Sequence, residues 1–226
     1  MYDSITDKAR HMIARTYAYV AYTLLVCFGF ATYGAMHHFT IVIPHGIISF
    51  IIMVAILLGL IYLAQFLAKL SVIGGLIGLT LIGLFYGALL VLIFEVFPSA
   101  IIIQALLSTV GLFAILSFVG FATKVDLSKF GTIAFISLLA MVIIGFINSF
   151  IFHSQGLSLI ISSISILVFG FYTAYDTQNM KDSYDDSYNF STLNQISVSN
   201  AINLFLDFIQ LFLDILQLLS FFEGDD

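Results

Sequence analysis

Thirteen acidic side chains occur in the 226 residues, and two of them stand where an acid is costly. Asp176 closes an apolar run in FYTAYDTQNM, and Asp207 lies inside SNAINLFLDFIQLFLDILQLLSFF. In the second segment Asn200, Asn203, Asp207, Gln210, Asp214 and Gln217 are spaced 3, 4, 3, 4, 3, which puts them on one face of a helix. An aspartate at the middle of a bilayer costs ~2.5–3.5 kcal/mol even on the lenient insertion scale, so this face turns toward protein or water. Three readings are open: a hydrophilic path, a stripe that only specifies packing, and an amphipathic helix lying flat on the membrane. Flat-lying helices carry Lys and Arg on the polar face, whereas this one carries acids and amides. If Asp176 and Asp207 meet at hydrogen-bonding distance they cannot both ionise cheaply, and they titrate as a unit. Such a pair is a proton-sensitive latch, and a place where a passing cation can replace the proton.

The elements that must position these acids follow from the composition. With 61% hydrophobic residues and a mean hydropathy of +1.12, the chain is too apolar for a core surrounded by a solvated surface. Lipid is its solvent. A helix crosses a ~30 Å hydrocarbon layer with about 20 apolar residues, and seven runs qualify: 17–36, 46–68, 73–94, 100–122, 130–152, 157–177 and 198–222. Backbone groups in lipid must bond within their own segment, so the runs are helices, and the expected fold is all-α within a single transmembrane domain, 1–226. The opening MYDSITDKARHMIAR is polar and the first run is long enough to span, so no cleavable signal is expected. Cys27 is the sole cysteine, which excludes an intramolecular disulfide.

All seven basic residues fall on one side of such a seven-span chain: Lys8, Arg10, Arg15, Lys69, Lys124, Lys129 and Lys181. Positive-inside bias puts that side and the N-terminus in the cytosol, and the C-terminus outside. Asp176 then lies a few residues from the cytosolic end of helix 6, and Asp207 about nine residues into helix 7 from the same side. At ~1.5 Å per residue their depths differ by less than ~10 Å, so antiparallel neighbours can bring them together. The pairs Gly74/Gly78 and Gly83/Gly87 on helix 3 suit close helix packing. Asp182, Asp185 and Asp186 can gather cations at the cytosolic mouth, or simply solvate a loop. His37, His38 and His45 share one external connection, in a spacing that matches no strong metal pattern.

AYDTQ at 174–178 and LFLDFIQLFL at 204–213, together with QALLSTVGLFAILSFVG and the following FATKVDLSKFG, resemble the Bax inhibitor-1 family of membrane proteins. The resemblance implies seven transmembrane helices, six surrounding a central seventh, and a pH-sensitive calcium leak controlled by two aspartates. Carried over by motif, those are Asp176 and Asp207, which would also be the weak, transient calcium site. Where bacterial members carry an arginine near the cytosolic end of helix 2, this chain reads LAQFLAKLS, leaving Gln65 and Lys69 as the nearest polar substitutes and Lys69 as a candidate latch partner. Asp214 is a second departure, at a position more often apolar in the family. It extends a candidate ion path of Asn203, Gln210, Asp214 and Glu95.

The functional expectation is therefore a calcium leak channel of a bacterial cell membrane, with the endoplasmic reticulum as the alternative membrane. Its partners are calcium ions, protons and membrane lipid, with no nucleic acid and no cofactor, and a monomer suffices for the path. Calcium prefers six to eight oxygens, so two carboxylates with nearby amides and water bind loosely, which suits passage. The alternative is a non-conducting regulatory protein acting on membrane proteases or cell-death partners. An intramembrane aspartyl protease would also pair two acids, but its second aspartate sits in Gly-x-Gly-Asp, whereas Asp207 sits in LFLD. No enzyme activity is expected.

Overall fold

In a computed structural model, residues 2–39, 46–185 and 187–223 are described. His45 and Asp186 lie outside them. The described residues are helical with no strand, and seven helices are long and apolar enough to cross a membrane. They are α1 (Tyr2–Met36), α2 (Ile47–Leu70), α3 (Val72–Val96), α4 (Ser99–Ala122), α5 (Gly131–Ile147), α6 (Gln155–Asp182) and α7 (Phe190–Glu223). Several outrun their apolar cores. Membrane length bounds only the lipid-facing stretch, while α1, α6 and α7 continue as polar turns toward the side bearing Lys8, Lys181 and Asn194. The fifth span is the composite one: a 3₁₀ turn, Leu127–Phe130, precedes α5, and a π-helix, Asn148–Phe152, follows it. Asp126 starts that 3₁₀ turn by accepting from the Ser128 amide at 3.1 Å, and its hydrogen bonds to Ser128 hold its carboxyl below the usual range.

The chain forms two compact units. The first comprises Met1–Val96 and Met180–Phe205. Here α3 is the hub, because its glycines let two neighbours approach without side chains between them. A Cβ on Gly78 would lie 2.7 Å from the Ala64 Cα, and one on Gly87 would lie 2.7 Å from the Cys27 carbonyl oxygen. Gly83 packs on the Thr23 carbonyl in the same way, and Gly75 on Ala68. The partner of Gly78 on this face is thus Gly75, while Gly74 sits over the Leu67 carbonyl where α2 turns into α3. Only Ser71 joins those two helices, and its hydroxyl accepts from the Gly74 amide at 2.9 Å. Buried Thr16 and Thr23 donate to the carbonyls of Met12 and Tyr19 one turn back, so α1 keeps no unpaired hydroxyl at either position. The first half of α7 docks on α1 and α2. Ser197 donates to the Met12 carbonyl at 3.1 Å, Arg15 bonds Asn194, and the Arg15 guanidinium lies 4.0 Å from the Phe190 ring centre.

The second unit comprises Phe97–Asn179 and Leu206–Asp226. Gly120 of α4 rests on the Ala174 carbonyl and Thr177 of α6, and Phe113 meets Phe208 of α7 edge-on at 5.4 Å. Buried Gln178 holds the connection before α5 through both ends of its amide, accepting from the Leu127 amide at 2.8 Å and donating to the Val125 carbonyl at 2.9 Å. Of the seven spans α7 is the most buried, at 56% of its apolar window against 39% for α3, the next. That burial explains why α7 can carry polar residues that lipid would not tolerate.

Candidate functional site

The second unit holds both aspartates that the sequence singles out. Asp176 lies six residues before the end of α6 and is half-buried, with the Asn179 side chain close to its carboxyl. Asp207 of α7 is 5% exposed. The two carboxylates lie within electrostatic range of each other, and Tyr172, one turn before Asp176, lies within range of both. Asp207 differs from its neighbours in one respect. Its Oδ2 and the Ser117 Oγ are the two buried side-chain polar atoms without a hydrogen-bond partner among the described residues. Ser117 stands on α4 between Phe113, which touches Phe208, and Gly120, which touches Ala174 and Thr177. That register sets it at the same level of the unit as the aspartates. An unpaired buried carboxylate oxygen costs several times what a typical hydrogen bond contributes, so it calls for a proton, a water or a cation.

The rest of the stripe on α7 is paired. Asn200 donates to the Ser183 hydroxyl at 3.2 Å, and Gln65 of α2 donates to Asn203 Oδ1 at 3.1 Å while accepting from the Ser199 hydroxyl at 2.5 Å. Gln210 donates to Asp214 Oδ2 at 3.2 Å, Ser165 also donates to that oxygen, and Ser162 donates to Gln217 Oε1 at 2.7 Å. Asp207 and Asp214 are buried, Gln210 is half-buried, and Asn203 and Gln217 are exposed. Of Gln65 and Lys69 on α2, Gln65 is the one that reaches α7, one turn before Asp207. Lys69 is exposed in the last turn of α2, and Glu95 is exposed near the end of α3. Among the described residues no three His, Cys, Asp or Glu side chains converge as metal ligands, so a cation beside the aspartates would draw its remaining oxygens from amides, hydroxyls and water.

Sequence reasoning passed over the partners supplied by α6. Ser158, Ser162, Ser165, Tyr172 and Asp176 recur at spacings of 4, 3, 7 and 4, which is the same helical face test that found the stripe on α7. Applied to helix 6, it identifies the facing stripe. Ser117 has no such signal, since a lone serine in an apolar helix ordinarily bonds its own backbone.

The aligned part of the E. coli K12 inner membrane protein YbhL is 38% identical over 100 residues, which is 43% of this chain and 42% of YbhL. An uncharacterized protein of Helicobacter pylori is 35% identical over 105 residues, or 46% of this chain and 41% of its own, and one of Borreliella burgdorferi is 36% identical over 104, or 44% and 43%. The alignments therefore span less than half the length of these curated relatives. The family model described as inhibitor of apoptosis-promoting Bax1 runs further, matching residues 9–224 and with them all seven helices and both aspartates. With that match and seven membrane-length helices, the chain belongs to the Bax inhibitor-1 family.

Proposed function

We propose that the protein is a pH-sensitive calcium leak of the membrane, gated by Asp176 and Asp207. The observation that supports this reading most is the unpaired, buried Asp207 Oδ2 within the field of a second carboxylate. Two acids so placed exchange a proton for a cation at modest cost, because one positive charge relieves both the repulsion and the unmet hydrogen bond. The loose ligand set suits an ion that must also leave. The E. coli relative named as an inner membrane protein supports a bacterial cell membrane, and the one-sided basic residues support a cytosolic N-terminus. Asp207 in LFLD lacks the glycines of an aspartyl protease motif, which favours a non-enzymatic role. The second reading is a non-conducting regulator of other membrane proteins, favoured by the pairing of every other stripe residue with a neighbour, as pure packing requires.

Calcium flux into liposomes holding only the purified protein, followed across a pH series, separates the two readings. Conduction predicts flux that depends on pH, and Asp207→Asn flattens that dependence. Asp214→Asn, about two turns further along α7, changes the size of the flux and leaves its pH midpoint in place. Absence of flux from the wild-type protein refutes conduction. A full pH response in both Asp176→Asn and Asp207→Asn refutes the gate.

A further inference from the structure

A second polar feature lies apart from the aspartate pair, beneath the connection between α5 and α6. There a cavity of about 280 Å³ opens among α5, the π-helix, α6 and α7, all within the second unit. Its polar lining includes Asn148, Ser162, Ser165, Gln210, Asp214 and Gln217. The volume far exceeds the ~10–15 Å³ that admits one water. Asn148 lines the cavity and is held in place: its amide donates to the Ser158 hydroxyl at 2.7 Å and to the Ser154 carbonyl at 3.1 Å, and its Oδ1 accepts from the Ser154 amide at 3.1 Å. This clasp closes the wide π turn, which ends on His153 in the left-handed region at φ 50°. Such turns are frequent at functional sites. From Gln155, where α6 begins, Ser165 is ten residues in, or ~15 Å, and it bonds Asp214. The cavity therefore holds a carboxylate about three helical turns in from the start of α6.

The charge balance of this cavity is incomplete. Asp214 is 6% exposed and its partners are the neutral Ser165 and Gln210, with Ser162 also at the carboxylate. No Lys, Arg or His lines the cavity. A single negative charge in one cavity with the Ser162 and Ser165 hydroxyl oxygens and the Gln217 amide oxygen, in a space large enough for an ion and its waters, matches a small monovalent cation. A divalent ion ordinarily draws several carboxylates, and only one is present here.

We propose that this cavity is a sodium site, with Asp214 supplying the charge and Ser162, Ser165 and Gln217 supplying neutral oxygens. It is independent of calcium gating at Asp176 and Asp207, and it is read by binding rather than by flux, so either proposal can fail alone. The test is equilibrium binding of radiolabelled sodium to the purified chain in detergent. The expected result is saturable binding that excess sodium chloride displaces and choline chloride does not. Asp214→Asn weakens it at least about tenfold, equivalent to ~1.4 kcal/mol. Ser165→Ala and Gln217→Leu weaken it as well, and exposed Asp126→Asn leaves it unchanged. Helical circular dichroism and melting of each variant show whether it is folded, and the serine and glutamine variants carry the test if Asp214→Asn does not fold. Absence of saturable sodium binding overturns the proposal. So does binding that survives in folded Asp214→Asn, or in both Ser165→Ala and Gln217→Leu, and so does displacement by calcium at lower concentration than by sodium.

Discussion

Replacing Gly120 by alanine tests the contact that sets the distance between α4 and the helix bearing Asp176. The added methyl would lie 2.9 Å from the Thr177 Cβ and closer still to the Ala174 carbonyl oxygen. Carbon atoms pack best at ~3.5–4.0 Å, so α6 must retreat by roughly 1 Å. The obstruction is backbone and cannot rotate aside, which places the cost in the upper part of the ~1–3 kcal/mol range for overpacking. Removing a glycine from a helix returns ~0.5–1 kcal/mol, leaving a net loss of ~1–2.5 kcal/mol. For a chain of this length each kcal/mol moves the melting temperature by ~2–4 °C, so Gly120→Ala melts ~2–10 °C below wild type. Gly111 is the internal control. It lies on the same helix with nothing within 4 Å of a built Cβ, so Gly111→Ala melts at or slightly above wild type. Both are read by the helical circular dichroism signal of purified protein in one detergent. If Gly120→Ala melts no lower than Gly111→Ala, the α4–α6 approach is wrong, and the placement of Ser117 beside the aspartates falls with it.

Two further outcomes follow from side chains just beyond α1, on α6 and in the loop after α6. Gln178→Leu strips partners from the Leu127 amide and the Val125 carbonyl, so hydrogen exchange across 124–130 accelerates and stability falls by ~1–3 kcal/mol; unchanged protection there shows that the glutamine does not hold that connection. A cysteine placed at His37 reacts with an impermeant thiol reagent added outside intact cells, whereas one at Ser187 does not. Native Cys27 is buried and contributes little background. The opposite labelling pattern reverses the orientation and removes the aspartates from the cytosolic half.

The helices were legible because lipid makes a blunt demand: length and apolarity suffice to find a span, and seven runs of the sequence meet it. Their ends were less so, since the polar turns of α1, α6 and α7 outside the apolar windows are held by particular contacts, such as Arg15 with Asn194 and Phe190. The similar depths of Asp176 and Asp207 along helices 6 and 7 could be read from the sequence. The cavity at Asp214 could not, because it is lined in part by a π turn clasped by Asn148, and nothing in NSFIFHS distinguishes that turn from another helical one. Glycine spacing located α3 as a packing helix, yet choosing Gly75 over Gly74 needs the direction of each Cα–Cβ bond relative to Ala68.

The single-residue joint at Ser71 has a mechanical consequence. Two helices tied so closely have no slack, so α2 cannot slip along its axis by a turn, ~5.4 Å, without dragging α3 with it. The freedom left to α2 is to swing about Ser71, against the glycine and alanine contacts of Gly75 and Gly78. Gln65 lies six residues from that pivot and Ile47 twenty-four, which are arms of ~9 Å and ~36 Å. A rotation that draws Gln65 back by the ~1 Å that ruptures a hydrogen bond to Asn203 or Ser199 therefore carries the far end of α2 about four times as far. The amide grip on α7 is the short arm of a lever, and a label near Ile47 would report its release with built-in gain.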